Sequence, residues 1–148
     1  MKIKYIKGDL FKTENRVILH GCNAQGVMGS GVARIIRDDY TEAYEHYKQC
    51  SIINGLELGS INHCESNHKL IINAITQKYY GRDGKRYVSY DAVSGAMKET
   101  KSLLNAIGEN KISMPMIGSG LGGGDWNVIA AIIESELKMV EPYVYVLE

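Results

Sequence analysis

Two side chains that could transfer protons stand beside the two glycine-rich stretches of this sequence. His20 follows the apolar run 17–19, and Asp125 follows the run 118–124. An imidazole, with an ordinary pKa of about 6.5, can serve as general base, general acid or phosphoryl acceptor, and a carboxylate can serve as acid or base. Each has a structural alternative: His20 could be a hydrogen-bonded histidine at a strand end, and Asp125 could be a helix N-cap. We predict His20 and Asp125 as the candidate catalytic residues, with these alternatives open.

The glycine-rich stretches themselves predict an anion site. Loop one (21–31) reads GCNAQGVMGSG, and loop two (118–124) holds five glycines in seven residues. Each lies between a predicted strand and a predicted helix, where free backbone N–H groups and the helix dipole favour a negative charge. Glycines also let the backbone curl closely around phosphate oxygens. Neither loop has the GK[ST] ending of a P-loop. Because both loops fall at strand ends, we predict that they hold a diphosphate between them. The alternative is that they are merely turn-rich connections.

Hydrophobic periodicity and turn residues predict the elements around these loops. The predicted strands cover residues 2–6, 17–20, 58–63, 70–75, 112–117 and 143–147, and the predicted helices begin near 30 and cover 41–53, 89–107 and 127–139. Ser30 and Thr41 are candidate N-caps. The alternation predicts one α/β domain over residues 1–148, with a largely parallel sheet and helices on both faces. Ligands of such folds bind at the carboxyl ends of the strands, where both loops fall.

Composition argues against several classes of protein. The 148 residues carry 17 basic and 17 acidic side chains, and this zero net charge argues against strong general nucleic-acid binding. No apolar run approaches about 18 residues, so we expect no membrane span. The three cysteines show no CxxC spacing and HCESNH (63–68) has no recognised zinc spacing. We therefore expect no metal, no cofactor and a reducing, cytoplasmic location.

Four motifs together resemble the macro domain family, the ADP-ribose-binding α/β module. They are YIKGDLF (5–11), ILHGCNAQGVMGSGVA (18–33), NAIT (73–76) and MPMIGSGLGGGDW (114–126), and the resemblance covers essentially the whole chain. The His-x-Cys-Asn start of the second motif resembles the branch of ADP-ribose 1''-phosphate phosphatases and terminal ADP-ribose protein-glutamate deacylases. The resemblance implies a three-layer fold with ADP-ribose, or a derivative of it, as the ligand.

The resemblance also implies a set of ligand-binding residues. Asp9 would accept a hydrogen bond from the adenine amino group, or it could cap the turn after the first strand, and Asn23 would bind the distal ribose hydroxyls. Loop one would line the diphosphate, and loop two would close over the phosphates and the distal ribose. The full implied set is Asp9, Leu10, Asn23, Gly29, Ser30, Gly31, Val32, Ser119, Gly120, Leu121 and Gly122.

The sequence departs from the deacylase branch at two positions. That branch has a lysine after the Ile-Thr pair and an aspartate after the leucine of loop two, and here those positions hold Gln77 and Gly122. Lys78 would point to the opposite face of the strand, and Asp125 lies three residues too late. The resemblance therefore implies removal of phosphate from ADP-ribose 1''-phosphate. A non-catalytic ADP-ribose-binding module and a hydrolase of acyl- or protein-linked ADP-ribose are the alternatives.

Overall fold

The computed structural model describes residues 1–147, in which strands and helices alternate along much of the chain. The strands are β1 (Lys4–Lys7), β2 (Val17–Asn23), β3 (Ile61–Ser66), β4 (Lys69–Gln77), β5 (Lys111–Met114) and β6 (Glu141–Val146). The helices are α1 (Gly31–Asp39), α2 (Thr41–Ile53), α3 (Tyr90–Ile107) and α4 (Trp126–Glu136). A short 3₁₀ helix, Leu10–Lys12, follows β1.

All of these strands form one sheet in the order β1-β6-β5-β2-β4-β3. β2 lies between β5 and β4 and is parallel to both, and β6 and β1 continue the parallel arrangement. β3, at the edge, pairs antiparallel with β4. The predicted, mostly parallel sheet is confirmed. Because parallel strands end at the same edge of a sheet, the carboxyl ends of β2, β4 and β5 lie side by side.

Helices cover both faces of the sheet and give the molecule three layers. α3 and α4 pack on one face, together with Val17 and Leu19 of β2. α1 and α2 pack on the other face, where Ile18 lies in the same cluster as Ile36 and Tyr47. The alternation along β2 follows from the two-residue repeat of a strand, and a strand covered on both sides is apolar throughout. The predicted α/β fold with helices on both faces is confirmed.

The strands end one to three residues from the predicted ends, and β2, β3 and β5 differ most. β2 continues past His20 to Asn23, because Gly21 and Cys22 keep ladder partners on β4. β5 ends at Met114 rather than at 117. Pro115 follows it and has no N–H to continue the ladder. The polar end of β2 therefore belongs to the sheet, and the floor of any site at this edge is more rigid than the predicted loop.

Helix caps shape the connections at this edge. Asp125 caps α4, since its Oδ1 accepts the N–H of Asn127 at 2.9 Å. The predicted cap at Thr41 is wrong, because Tyr40 is the residue that precedes α2 in the N-cap position. Ser30 does precede α1, but its side chain makes no capping hydrogen bond. None of the helices in residues 1–147 is long and apolar enough to cross a membrane.

Candidate functional site

A cleft opens at the carboxyl ends of β2, β4 and β5. Its volume is about 590 Å³, within the range of small-molecule sites. The strand ends make its floor, loop one and loop two make two walls, and the β4–α3 segment (78–89) makes a third. The predicted site residues that line this cleft are His20, Asn23, Gly29, Ser30, Gly31, Val32, Gly120, Leu121 and Gly122.

Asn23 organises loop one. Its Oδ1 accepts the backbone N–H groups of Gln25 at 3.0 Å and Val27 at 3.3 Å, and its Nδ2 donates to the Val27 carbonyl at 2.9 Å. The Tyr47 hydroxyl of α2 donates to the Asn23 carbonyl at 2.6 Å. The amide therefore folds the turn, and its ribose-binding role stays a prediction.

The start of α1 presents backbone donors to the cleft. The first N–H groups of a helix have no partner within it, and they attract anions together with the helix dipole. Gly31 opens this helix with φ +58°, a left-handed conformation that favours glycine. The side chain of Ser30 faces a different donor, because its Oγ accepts from Arg82 Nη2 at 2.9 Å. Loop one is thus linked across the cleft to the β4–α3 segment.

Loop two is packed against that same segment. The Gly122 carbonyl accepts the N–H groups of Tyr87 at 2.7 Å and Val88 at 3.0 Å. At Gly123, φ is +70° and a Cβ would lie 2.5 Å from the Lys85 carbonyl oxygen. Added Cβ atoms would also lie under 3.0 Å from neighbouring atoms at Gly118, Gly122 and Gly124.

These contacts correct the explanation of the glycines in loop two. The sequence predicts that they allow close approach to a diphosphate, but Gly118, Gly122, Gly123 and Gly124 are required by packing within the protein. Gly120 differs, because no atom lies within 4 Å of an added Cβ there and the residue lines the cleft. Within loop two, Gly120 is the glycine for which close approach to a diphosphate stays a prediction.

His20 is buried beneath the cleft, with an exposed fraction of 1%. Its Nε2 lies 2.6 Å from Asn73 Oδ1. Asn73 Nδ2 donates to the Ala43 carbonyl and to Asn62 Oδ1, so Asn73 Oδ1 is the acceptor and His20 Nε2 carries the proton. Nδ1 then lies 3.8 Å from Cys22 Sγ. The same sulfur lies 3.5 Å from Nε2, so the thiol contacts the ring from the side of both nitrogens, and the firm hydrogen bond of the ring is the one to Asn73.

Burial also changes the acid–base behaviour of this pair. Desolvation lowers the pKa of His20 to about 4, although the hydrogen bond with Asn73 partly opposes this shift. Burial likewise raises the pKa of the Cys22 thiol well above its usual range. At neutral pH the ring is uncharged and the thiol is protonated. The geometry favours the structural alternative for His20, and its catalytic role stays a prediction.

Four predicted site residues are not part of the cleft lining. Asp9 accepts the Phe11 N–H at 2.9 Å and so caps the turn after β1, and Leu10 is buried in the core. The Ser119 hydroxyl donates to the Met116 carbonyl at 2.9 Å, and Asp125 caps α4. The turn-capping and helix-capping alternatives of the two aspartates are confirmed, while the ligand contacts of Asp9, Leu10 and Ser119 and the catalytic role of Asp125 stay predictions.

Thr76 and Arg82 line the cleft and are not among the predicted site residues. Thr76 ends the buried part of β4 with 1% exposure, and its Oγ1 has no hydrogen-bond partner within residues 1–147. Arg82 lies in the polar β4–α3 segment. Its contact with Ser30 joins residues 52 positions apart, so no local pattern predicts it. Within the described residues, no group of three or more His, Cys, Asp or Glu side chains could hold a metal ion.

Comparisons with known proteins agree with this architecture. The family model of the Macro domain matches residues 19–133. An uncharacterised 17.5 kDa protein of Enterobacteria phage T4 is 35% identical, over 95% of this chain and 94% of that protein. An ADP-ribose 1''-phosphate phosphatase of Lodderomyces elongisporus is 27% identical, over 100% of both chains. A protein of unknown function from Bacteroides thetaiotaomicron has a structure with a TM-score of 0.82 and 32% identity, over 98% of each chain. This chain belongs to the macro domain family.

Proposed function

We propose that this chain binds ADP-ribose in the cleft and removes the phosphate from ADP-ribose 1''-phosphate. The observation that carries the proposal is that two glycine-rich loops, which follow the neighbouring strands β2 and β5, line one cleft. A diphosphate has oxygens on both sides, so it needs donors from two directions. Loop one and loop two offer backbone N–H groups from opposite walls.

The charges around the cleft suit an anionic ligand. Among the described residues that line it there is one charged side chain, the guanidinium of Arg82, and no carboxylate. The first turn of α1 adds the positive end of its dipole. A phosphorylated ligand gains from both, whereas a cationic ligand would find no acidic partner there.

The phosphatase activity has two lines of support. A relative that covers the whole chain bears that name at 27% identity. Gln77, which lines the cleft, stands where the deacylase branch has its lysine, and its Nε2 donates to the Tyr79 carbonyl at 2.8 Å. An amide is neither a base nor a nucleophile, so chemistry that needs the lysine has no equivalent group here.

The reaction asks mainly for positioning and charge stabilisation. In phosphoryl transfer a protein contributes chiefly by orienting the phosphate and stabilising its negative charge. Water attacks phosphorus, the bond from phosphorus to the ribose oxygen breaks, and a proton from water ends on that oxygen. We assign His20 a positioning role, because its buried ring supports Asn73 and the floor of the cleft.

A non-catalytic ADP-ribose-binding module is the second candidate function, and the burial of His20 favours it. The one imidazole among the described lining residues is buried and hydrogen-bonded to Asn73, and no carboxylate joins it. A cleft of this kind can bind a ligand and still lack an exposed general base.

Two measurements on the same preparation test the proposal. Calorimetric titration with ADP-ribose is expected to show binding at one site, and incubation with ADP-ribose 1''-phosphate in metal-free buffer is expected to release inorganic phosphate with turnover. Absence of ADP-ribose binding would contradict the whole proposal. Binding without phosphate release would replace it with the non-catalytic module.

A further inference from the structure

We propose that Arg82 is the residue that recognises the phosphate of the ligand, acting across the cleft against the first turn of α1. The inference rests on the proposed function and adds to it a specificity-determining side chain in the β4–α3 segment. The ligand group is a phosphate with negative oxygens, either the diphosphate of ADP-ribose or a terminal phosphomonoester.

The position of the guanidinium is the first step. Arg82 Nη2 donates to Ser30 Oγ at 2.9 Å, and Ser30 immediately precedes α1. A guanidinium has five N–H donors in a planar fork, and Ser30 takes one of them. No carboxylate oxygen in residues 1–147 lies within 4.0 Å of it in an ion pair. The fork is therefore available to a second acceptor at the cleft.

The electrostatics of this arrangement point to an anion. A cation beside the N-terminus of a helix is unfavourable, because that end of the dipole is positive. An anion placed between them satisfies both, and arginine matches phosphate oxygens with two parallel hydrogen bonds. Among the described lining residues Arg82 carries the one formal charge, so its effect on the ligand is not offset within the cleft.

Thr76 gives an independent sign that the cleft receives a polar ligand. Its hydroxyl is buried at 1% exposure and has no partner within the described residues, although buried hydroxyl groups are almost always hydrogen-bonded. Thr76 lines the same cleft, next to Gly21, where an added Cβ would lie 3.0 Å from its Oγ1. A ligand oxygen at the floor would satisfy this hydroxyl, while Arg82 holds the phosphate above loop one.

The neighbouring cations of the β4–α3 segment are engaged elsewhere. The Arg86 guanidinium lies over the Tyr90 ring, 4.7 Å from its centroid, and Lys85 Nζ lies 3.8 Å from Asp83 Oδ2. Neither residue lines the cleft. Arg86→Gln removes the same charge from the same segment and is a matched control for Arg82→Gln.

Titration of wild type and variants with ADP-ribose and with ADP-ribose 1''-phosphate tests the inference. Arg82→Gln is expected to weaken binding about 10- to 100-fold, the usual effect of losing a charge-assisted hydrogen bond, while Arg86→Gln stays within about twofold. Equal losses for both ligands identify the diphosphate as the group held. A loss confined to ADP-ribose 1''-phosphate identifies the terminal phosphate. Arg82→Lys is expected to fall between, since lysine keeps the charge without the fork.

The outcomes separate the two proposals. Wild-type binding that is unchanged in Arg82→Gln would overturn the role of Arg82 and leave the proposed function standing. A wild type that binds neither ligand would overturn both. Melting temperatures of the three variants identify any loss of folding. If Arg82→Gln is unfolded, the affinity of Arg82→Lys, which retains the approximate size and the charge of the side chain, tests the role of Arg82. Equal affinities for wild type and Arg82→Lys would also contradict recognition by the fork.

Discussion

The last two glycines of loop one, Gly29 and Gly31, are open, whereas most glycines of loop two are packed; Gly26, earlier in loop one, is also packed, since an added Cβ would lie 2.7 Å from Ser51 Oγ. In loop one an added Cβ would meet nothing within 4 Å at Gly31 and only Val27 Cγ1, at 3.8 Å, at Gly29. In loop two an added Cβ would lie 2.5 Å from protein atoms at Gly123 and at Gly124. The open glycines border space that a ligand can enter, and the packed glycines hold a wall in place. Glycine content alone does not separate these two uses.

The layers beneath the two loops differ as well. Loop one lies on polar groups, since Asn23 and the Tyr47 hydroxyl fold it and the His20–Asn73 pair is buried below. Loop two lies on apolar groups, with Val88 next to its glycines. Side-chain hydrogen bonds fix the first loop, while backbone hydrogen bonds and close packing fix the second. The buried His20 lies on the side of loop one, and the tightest glycine contacts lie in loop two, so the two loops offer different tests.

The largest expected effect is a difference in stability between Gly123→Ala and Gly29→Ala. Alanine at Gly123 would adopt φ +70° and place its Cβ 2.5 Å from the Lys85 carbonyl, so we expect a loss of about 3 kcal/mol in the free energy of unfolding. Gly29→Ala has ordinary room and is expected to change it by less than about 1 kcal/mol. Urea unfolding monitored by tryptophan fluorescence measures both.

Gly120→Ala is the control within loop two. An added Cβ there has no neighbour within 4 Å, so the stability of this variant should match that of Gly29→Ala. Equal losses in all three variants would mean that the two loops are packed alike, and the comparison between them would be wrong.

A second prediction concerns acid stability on the loop one side. The pKa of His20 is lowered to about 4 in the folded protein. Between pH 6.5 and 4 the histidine is therefore protonated in the unfolded chain and neutral in the folded chain. Stability is therefore expected to fall as the pH falls through this window, by about 3 kcal/mol at pH 4, and not to depend on His20 above pH 7. Urea unfolding at pH 7 and pH 4.5 measures the change.

His20→Gln sharpens this test. Glutamine can still donate to Asn73 but does not titrate, so the difference in unfolding free energy between the two pH values should shrink in this variant. His68→Gln, which changes an exposed histidine in the turn between β3 and β4, should keep the wild-type difference. A wild-type pH dependence that survives in His20→Gln would show that other groups cause it.

Local patterns predict much of the fold and less of the site. The bounds of α2 and the stop of α3 at Gly108 agree with the sequence, because helical spacing and a left-handed glycine are local signals. The depth of His20 could not be predicted, since its partner Asn73 lies 53 residues away on another strand. The same holds for Arg82 and its contact with Ser30. Local signals identify loops at strand ends, while their side-chain partners depend on how the strands are ordered.

The smallest expected effect comes from Thr76→Val, which replaces an unpaired hydroxyl on the cleft floor by a methyl group. Removing a buried hydroxyl that has no protein partner should leave the free energy of unfolding unchanged or raise it by up to about 1 kcal/mol. If the hydroxyl bonds a ligand oxygen, affinity for ADP-ribose should fall about 3- to 10-fold, the usual effect of one neutral hydrogen bond. Unfolding and calorimetry on one preparation measure both.

Thr100→Val is the matched control and should show the opposite pair of effects. Thr100 is fully buried on α3, and its Oγ1 donates to the Ala96 carbonyl at 2.8 Å, so the same substitution removes a bond that exists in the protein. We expect a loss of about 1 kcal/mol in stability and no change in affinity. Thr76→Val losing stability as Thr100→Val does would mean that the Thr76 hydroxyl is satisfied within the protein. Only a loss of affinity without a loss of stability assigns the Thr76 hydroxyl to the ligand, on the cleft floor between loop one and loop two.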